Sequence, residues 1–164
     1  MEKERLEYTV NRLDHYFDSV NNKTAVYIAI NTFLTGGVIT LITQVKEVLT
    51  QHFWLQFIIG SILVLGILSL ILLAWASIPY FSPNTKFDSL YYFASISDKK
   101  FQVFSENSEE QNKKGDLKDL RSQVHLMSIG LTKKFRKLTW VGVLLIAQFI
   151  LLAPLTYLLI SKLL

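Results

Sequence analysis

Cysteine is missing from the chain altogether, which excludes disulfides, cysteine-ligated zinc and thiol catalysis. Charge is scarce: only 18% of the 164 residues are Asp, Glu, Lys or Arg, against about a quarter in an ordinary soluble domain. Proline occurs three times and glycine seven, so little interrupts a long helix. Enzymatic signatures are also absent, with no GxSxG, HExxH, phosphate-binding glycine loop or CxxC. His15, His52 and His125 lie in separate segments. His15 beside Asp14 resembles an acid/base pair, but a solvated helix position describes it as well. No residue set calls for catalysis, a metal or a cofactor.

What is present is apolar residue in blocks, 51% of the chain. Three stretches hold no Asp, Glu, Lys or Arg: Thr24 to Val45, Val48 to Thr85 with its apolar body at 53–81, and Leu138 to Ser161. Each exceeds the roughly 18–20 residues a helix needs to cross about 30 Å of hydrocarbon. The interior of a bilayer offers no water to the backbone, so each span must be helical. Trp54 and Trp75 stand 21 positions apart, roughly 31 Å along a helix and the spacing of two interfacial belts. Trp140 opens the third block, and Pro79 and Pro83 are expected to close the second. The sequence thus divides into an N-terminal helical segment at 1–23, spans at 24–45, 53–81 and 138–161, and a polar region at 82–137.

Basic residues set the expected orientation. Residues 1–23 carry four Lys or Arg and residues 82–137 carry eleven, together 15 of 17. Three spans put these two segments on one side, which is then cytoplasmic, with the C-terminus outside. Lys133, Lys134, Arg136 and Lys137 precede span three and, with Trp54, Trp75 and Trp140, are the expected interface anchors.

Two apolar seams lie in the cytoplasmic part. Leu6, Val10, Leu13, Phe17 and Val20 recur at spacings of four and three, which predicts one continuous helix from about residue 3 to 45. Leu117, Leu120, Val124, Met127 and Leu131 repeat the pattern into span three, with Asp116 as the expected N-cap. Between them, Ser97 is read as capping a short helix that buries Phe101 and Phe104, and residues 105–115 as a solvated linker. The expected architecture is an all-α membrane protein with three transmembrane helices, the first and third extended into a cytoplasmic helical stalk. Two seams cover little surface, so the stalk favours a homo-oligomer.

Span one carries a polar stripe. At 100° per residue, Thr24, Asn31, Thr32, Thr35, Gly36, Thr40 and Thr43 occupy about half of the helix. Such a face serves close helix packing or, in an oligomer, lines a wet pore. Thr24, Asn31, Thr35 and Thr40, with Gln148 of span three, are the pore-lining candidates. The spans hold no Asp, Glu, Lys or Arg, which argues against proton relays and charge-coupled transport. Lys113, Lys114, Lys118 and Arg121, with Gln123 on the same helix, lie beyond the juxtamembrane anchors and are candidates for an anionic ligand such as a nucleotide or short oligonucleotide. The interleaved Glu109, Glu110, Asp116 and Asp119 equally describe a solvated surface.

The layout resembles the Pycsar-type transmembrane effectors of bacterial anti-phage defence. The matching features are Asn22-Lys23-Thr24 entering span one, Gly36-Gly37 within it, Pro79 after span two and Leu90-Tyr91-Tyr92-Phe93. The run Asp119-Leu120-Arg121-Ser122-Gln123-Val124 and then Lys134-Phe135-Arg136 complete the order. The resemblance implies an effector in the bacterial inner membrane, paired with a nucleotidyl transferase or cyclase whose product controls it. When active it impairs the membrane. No β-rich nucleotide-binding domain accompanies these motifs, so the cytoplasmic helices are expected to sense the signal. The leading expectation is an oligomeric channel. The alternatives are a non-conducting scaffold or anchor and a holin-like lytic protein.

Overall fold

The computed structural model describes residues 1–78 and 89–163. Six helices follow one another among the described residues: α1 (Glu2–Gln44), α2 (Lys46–Gln51), α3 (Phe53–Ser77), α4 (Phe93–Ser97), α5 (Phe101–Glu110) and α6 (Lys113–Leu163). No described residue is in a strand. Three of these helices, α1, α3 and α6, are long and apolar enough to cross a membrane. The expected all-α, three-span class therefore holds. Pro79 and Pro83, expected to end the second span, lie outside the described residues, as does the end of its expected range at residue 81. The described α3 stops at Ser77, with Ile78 in extended backbone.

Helix α1 is uninterrupted across Gly36 and Gly37, neither of which has a positive φ. Pro154 sits inside α6 without ending it. Several local expectations are corrected. Helix α2 occupies the short link before α3, where none was expected. Ser97 ends α4 rather than capping α5, whose N-cap position is Lys100. Phe101, 80% exposed at the first position of α5, is not buried. The segment read as a solvated linker is helical through Glu110. Helix α6 then begins at Lys113, ahead of Asp116. The side-chain oxygen of Asn112 accepts the backbone N–H of Lys114 at 3.0 Å and of Gly115 at 2.9 Å, the bonds an N-cap supplies to otherwise unpaired donors.

The chain divides into two compact units. The first comprises residues 1–19 and, among those described, 89–134. Leu6 and Leu13 of α1 and Leu120 and Leu131 of α6 are buried in it, and Val10, Val124 and Met127 are half-buried. This is the expected pair of seams. Buried Asp119 accepts the backbone N–H of Leu90 at 2.8 Å, and Ser89 accepts those of Tyr91 and Tyr92. These bonds fix the segment before α4 onto α6. Arg121 pairs with Glu2 at 2.7 Å.

The second unit comprises residues 20–78 and 135–164. It holds two apolar clusters. One gathers Val38, Val45, Leu55, Ile58, Ile59, Ile62, Leu155 and Leu159. The other gathers Leu73, Ala76, Leu138, Val141 and Leu145, with Tyr27, Ile30 and Leu34 against it. The order of these residues along the chain makes α1 and α6 parallel and α3 antiparallel to both. Lipid is as apolar as leucine, so close van der Waals packing and interhelical hydrogen bonds hold such a trio rather than the hydrophobic effect.

Candidate functional site

Between the two apolar clusters lies a polar layer to which each of the three long helices contributes. Asn31 of α1 is fully buried and donates from Nδ2 to the carbonyl of Gly66 on α3 at 2.9 Å. Its own Oδ1 accepts the hydroxyl of Thr35, one turn along α1, at 3.3 Å. Gln148 of α6, also fully buried, donates from Nε2 to the carbonyl of Ile62 at 3.1 Å. Gly66 makes this approach possible: a Cβ there would meet Thr35 Oγ1 and stand 2.8 Å from Gln148 Nε2. Ser69, one turn along α3, is fully buried as well.

The layer is only partly satisfied. Ser69 Oγ and Gln148 Oε1 are buried without a hydrogen-bond partner among the described residues. An unpaired buried polar atom costs about 1–3 kcal/mol, and inside a bilayer no solvent relieves it.

Of the five residues read as pore-lining, Thr24, Asn31, Thr35 and Gln148 are buried within the unit and Thr40 is exposed. Thr24 donates to the carbonyl of Val20 and Thr40 to that of Gly36. The stripe on α1 thus splits in two. Thr24, Asn31 and Thr35 form its inner edge. Thr32, Gly36, Thr40 and Thr43 are exposed and lie within about 80° of one another at 100° per residue. A Cβ placed on Gly36 or Gly37 meets no atom within 4 Å. Both halves are visible in the helical wheel, but the boundary between them is not. It depends on where α3 and α6 lie, which a single-helix projection leaves open. Gly66 and Ser69, small residues that the sequence marks for packing in span two, share one face of α3 with Ile62 and Leu73.

The expected interface residues fall in both units. Trp54, Trp75 and Trp140 are exposed at 67%, 58% and 61%, as membrane-facing belt residues are. Lys137 sits 4.2 Å above the Trp75 ring and donates to its carbonyl at 3.1 Å. It therefore binds the C-terminal end of α3 through both a cation–π contact and a hydrogen bond. Lys134, in the first unit, is buried over the Phe17 ring at 5.9 Å, while Lys133 and Arg136 are exposed.

The ligand candidates all stand on about the first three turns of α6. Lys113, Lys114 and Lys118 are exposed, Gln123 is half-buried, and Arg121 is engaged by Glu2. Sequence reading missed an exposed cluster on α1, where Arg12 reaches the hydroxyls of Tyr16 at 3.2 Å and Tyr8 at 3.5 Å. These bonds, that to Tyr16 first, raise the Arg12 pKa further. Spacing of four along one helix was the available signal. On the same unit Tyr91 has a raised pKa. Partial burial is the main cause, followed by the carboxylates of Asp116, Asp119 and Glu7. His15 and His125 are exposed.

The family model for the Pycsar effector protein domain matches residues 5–161. The chain belongs to the Pycsar effector family. No curated protein and no solved structure matches it. Membership makes this chain a membrane effector of anti-phage defence, associated with a cyclic-nucleotide signal from a partner cyclase. The three apolar helices fit an inner-membrane protein.

Proposed function

We propose that this Pycsar effector assembles in the bacterial inner membrane into a nucleotide-controlled channel with α1 around its path. The observation that carries the reading is the exposed face of Thr32, Gly36, Thr40 and Thr43 on a helix long and apolar enough to span the bilayer. Hydroxyls and glycines gain nothing from facing acyl chains, whereas they allow helices to approach closely and can face water. Three helices cannot enclose an aqueous path, so the channel requires several copies. In the resting state Thr24, Asn31, Thr35 and Gln148 are packed. On opening, the helices separate enough for water to reach them and to satisfy Ser69 Oγ and Gln148 Oε1.

The side bearing residues 1–23 and 82–137 is cytoplasmic by its excess of Lys and Arg, and the C-terminus lies outside. In this reading the helical region forms the stalk. There the signal docks on the basic start of α6, at Lys113, Lys114, Lys118, Arg121 and Gln123. A nucleotide phosphate competes with Glu2 for Arg121.

The test is membrane potential in cells expressing the protein. Wild type depolarises them when the cyclase is active. Gly36→Leu with Thr40→Leu abolishes depolarisation at unchanged membrane abundance, because both positions are exposed and Gly36 has open space around it. Full depolarisation by this double variant would remove α1 from the path. A wild type that never depolarises cells would leave the scaffold reading.

A further inference from the structure

The second unit carries a cavity of about 330 Å³ at the junction of α2, α3 and the last turns of α6, within the roughly 300–1,000 Å³ typical of small-molecule sites. Its walls are apolar and aromatic: Phe53, Trp54 and Leu55 from the start of α3, and Leu158 from α6. Its polar residues are Gln51, His52 and Lys162. The cavity is built rather than incidental. Gln56 donates from its side chain to the carbonyl of Leu49 at 2.9 Å, and the His52 N–H donates to the same carbonyl at 3.3 Å. These bonds fasten α2 to the start of α3. Trp54 packs edge-on against Phe53 and Phe57, with ring centres 6.0 and 6.4 Å away.

Three properties coincide there. The first turn of α3, whose Phe53, Trp54 and Leu55 line the cavity, has no side-chain cap, so the positive end of its dipole lies there. Lys162 adds a positive charge, and no acidic residue is among the described residues that line the cavity. The walls continue into the apolar surface of a membrane span, where Phe53, Trp54 and Phe57 are largely exposed. A soluble anion would use the first two properties but not the third. A molecule with a phosphate joined to acyl chains uses all of them.

We propose that this cavity seats the headgroup phosphate of an anionic phospholipid. Lys162 is its counter-charge, the start of α3 is its hydrogen-bond donor, and the acyl chains lie along exposed Phe53 and Phe57 and half-buried Leu158. The site is separate from the polar layer and from the basic start of α6, and it stands whether or not the protein conducts.

Trp54 is a built-in reporter. The full chain with Trp75→Phe and Trp140→Phe, positions where the side chain is exposed, leaves it as the sole tryptophan. This protein is reconstituted in phosphatidylcholine vesicles containing a small fraction of brominated lipid. Brominated phosphatidylglycerol quenches Trp54 with about fivefold higher apparent affinity than brominated phosphatidylcholine, the preference that one lysine near an anionic lipid supplies. Lys162→Gln removes the preference and Lys162→Arg keeps it. Circular dichroism confirms equal helicity in each variant. Equal quenching by the two lipids overturns the proposal, as does a preference that survives Lys162→Gln. Relief of the quenching by millimolar inorganic phosphate assigns the site to a soluble anion and overturns it as well.

Discussion

Gly66 is the residue on which the polar layer turns. Adding one methyl group there drives it against Thr35 Oγ1 and Gln148 Nε2, and overpacking of this kind costs about 1–3 kcal/mol. Gly66→Ala is therefore expected to lower the thermal unfolding midpoint of the detergent-purified protein, whereas Gly36→Ala, in open space, leaves it unchanged. An equal effect of the two would mean that α1 and α6 do not close on α3 at Gly66. Asn31→Leu, close in volume, is milder. It removes one interhelical bond, and such bonds in membranes average about 0.6 kcal/mol, so only a small loss of midpoint is expected. Tyr91 provides a pH test. Its pKa in the folded chain is raised above the usual 10.0, so the neutral phenol is the form that folding favours. That contribution is complete below pH 10.0 and is lost as pH climbs through the raised value. Tyr91→Phe should flatten the part of the stability loss above pH 10.0 that belongs to this residue. Superimposable wild-type and variant profiles there would contradict the assignment.

Elements were more legible than their ends. The spans of α1, α3 and α6 were visible because a run without charge longer than a membrane is thick has few other uses. The seam from Leu6 to Val20 extended α1 toward its start without needing a partner. The sequence places the cap of α6 four residues late, at Asp116 rather than Asn112, because Asp and Asn are both good caps. Asn112 wins through bonds to Lys114 and Gly115. Those bonds make a prediction at this scale. Asn112→Ala should speed amide hydrogen exchange at Lys114 and Gly115 with little change at Leu120, at a cost of about 0.5–2 kcal/mol. Unchanged exchange at the first turn would mean that the cap contributes nothing. The short α2 was missed because six residues of KEVLTQ carry too little periodicity to register, and its register depends on the contact of Gln56 with Leu49.

At the scale of the molecule, the sequence located charge and its absence, and those two patterns carry the reading of a membrane effector. They could not divide the polar stripe of α1 into the half that packs and the half that remains exposed. That division depends on α3 and α6, whose positions are set by Gly66, Ile62 and Gln148 rather than by anything local to α1. The division makes the channel reading specific. In the proposed channel, Thr32, Gly36, Thr40 and Thr43 would meet neighbouring copies and water, while Asn31, Thr35 and Gln148 would hold each protomer together until it opens. The most direct measurement is current across a planar bilayer containing the purified full-length protein, recorded before and after addition of the partner cyclase with its nucleotide substrate. Discrete conductance steps that respond to the cyclase, and that disappear in Gly36→Leu with Thr40→Leu, are the predicted result. A bilayer that stays silent with wild-type protein under both conditions, or steps that persist unchanged in the double variant, would contradict it.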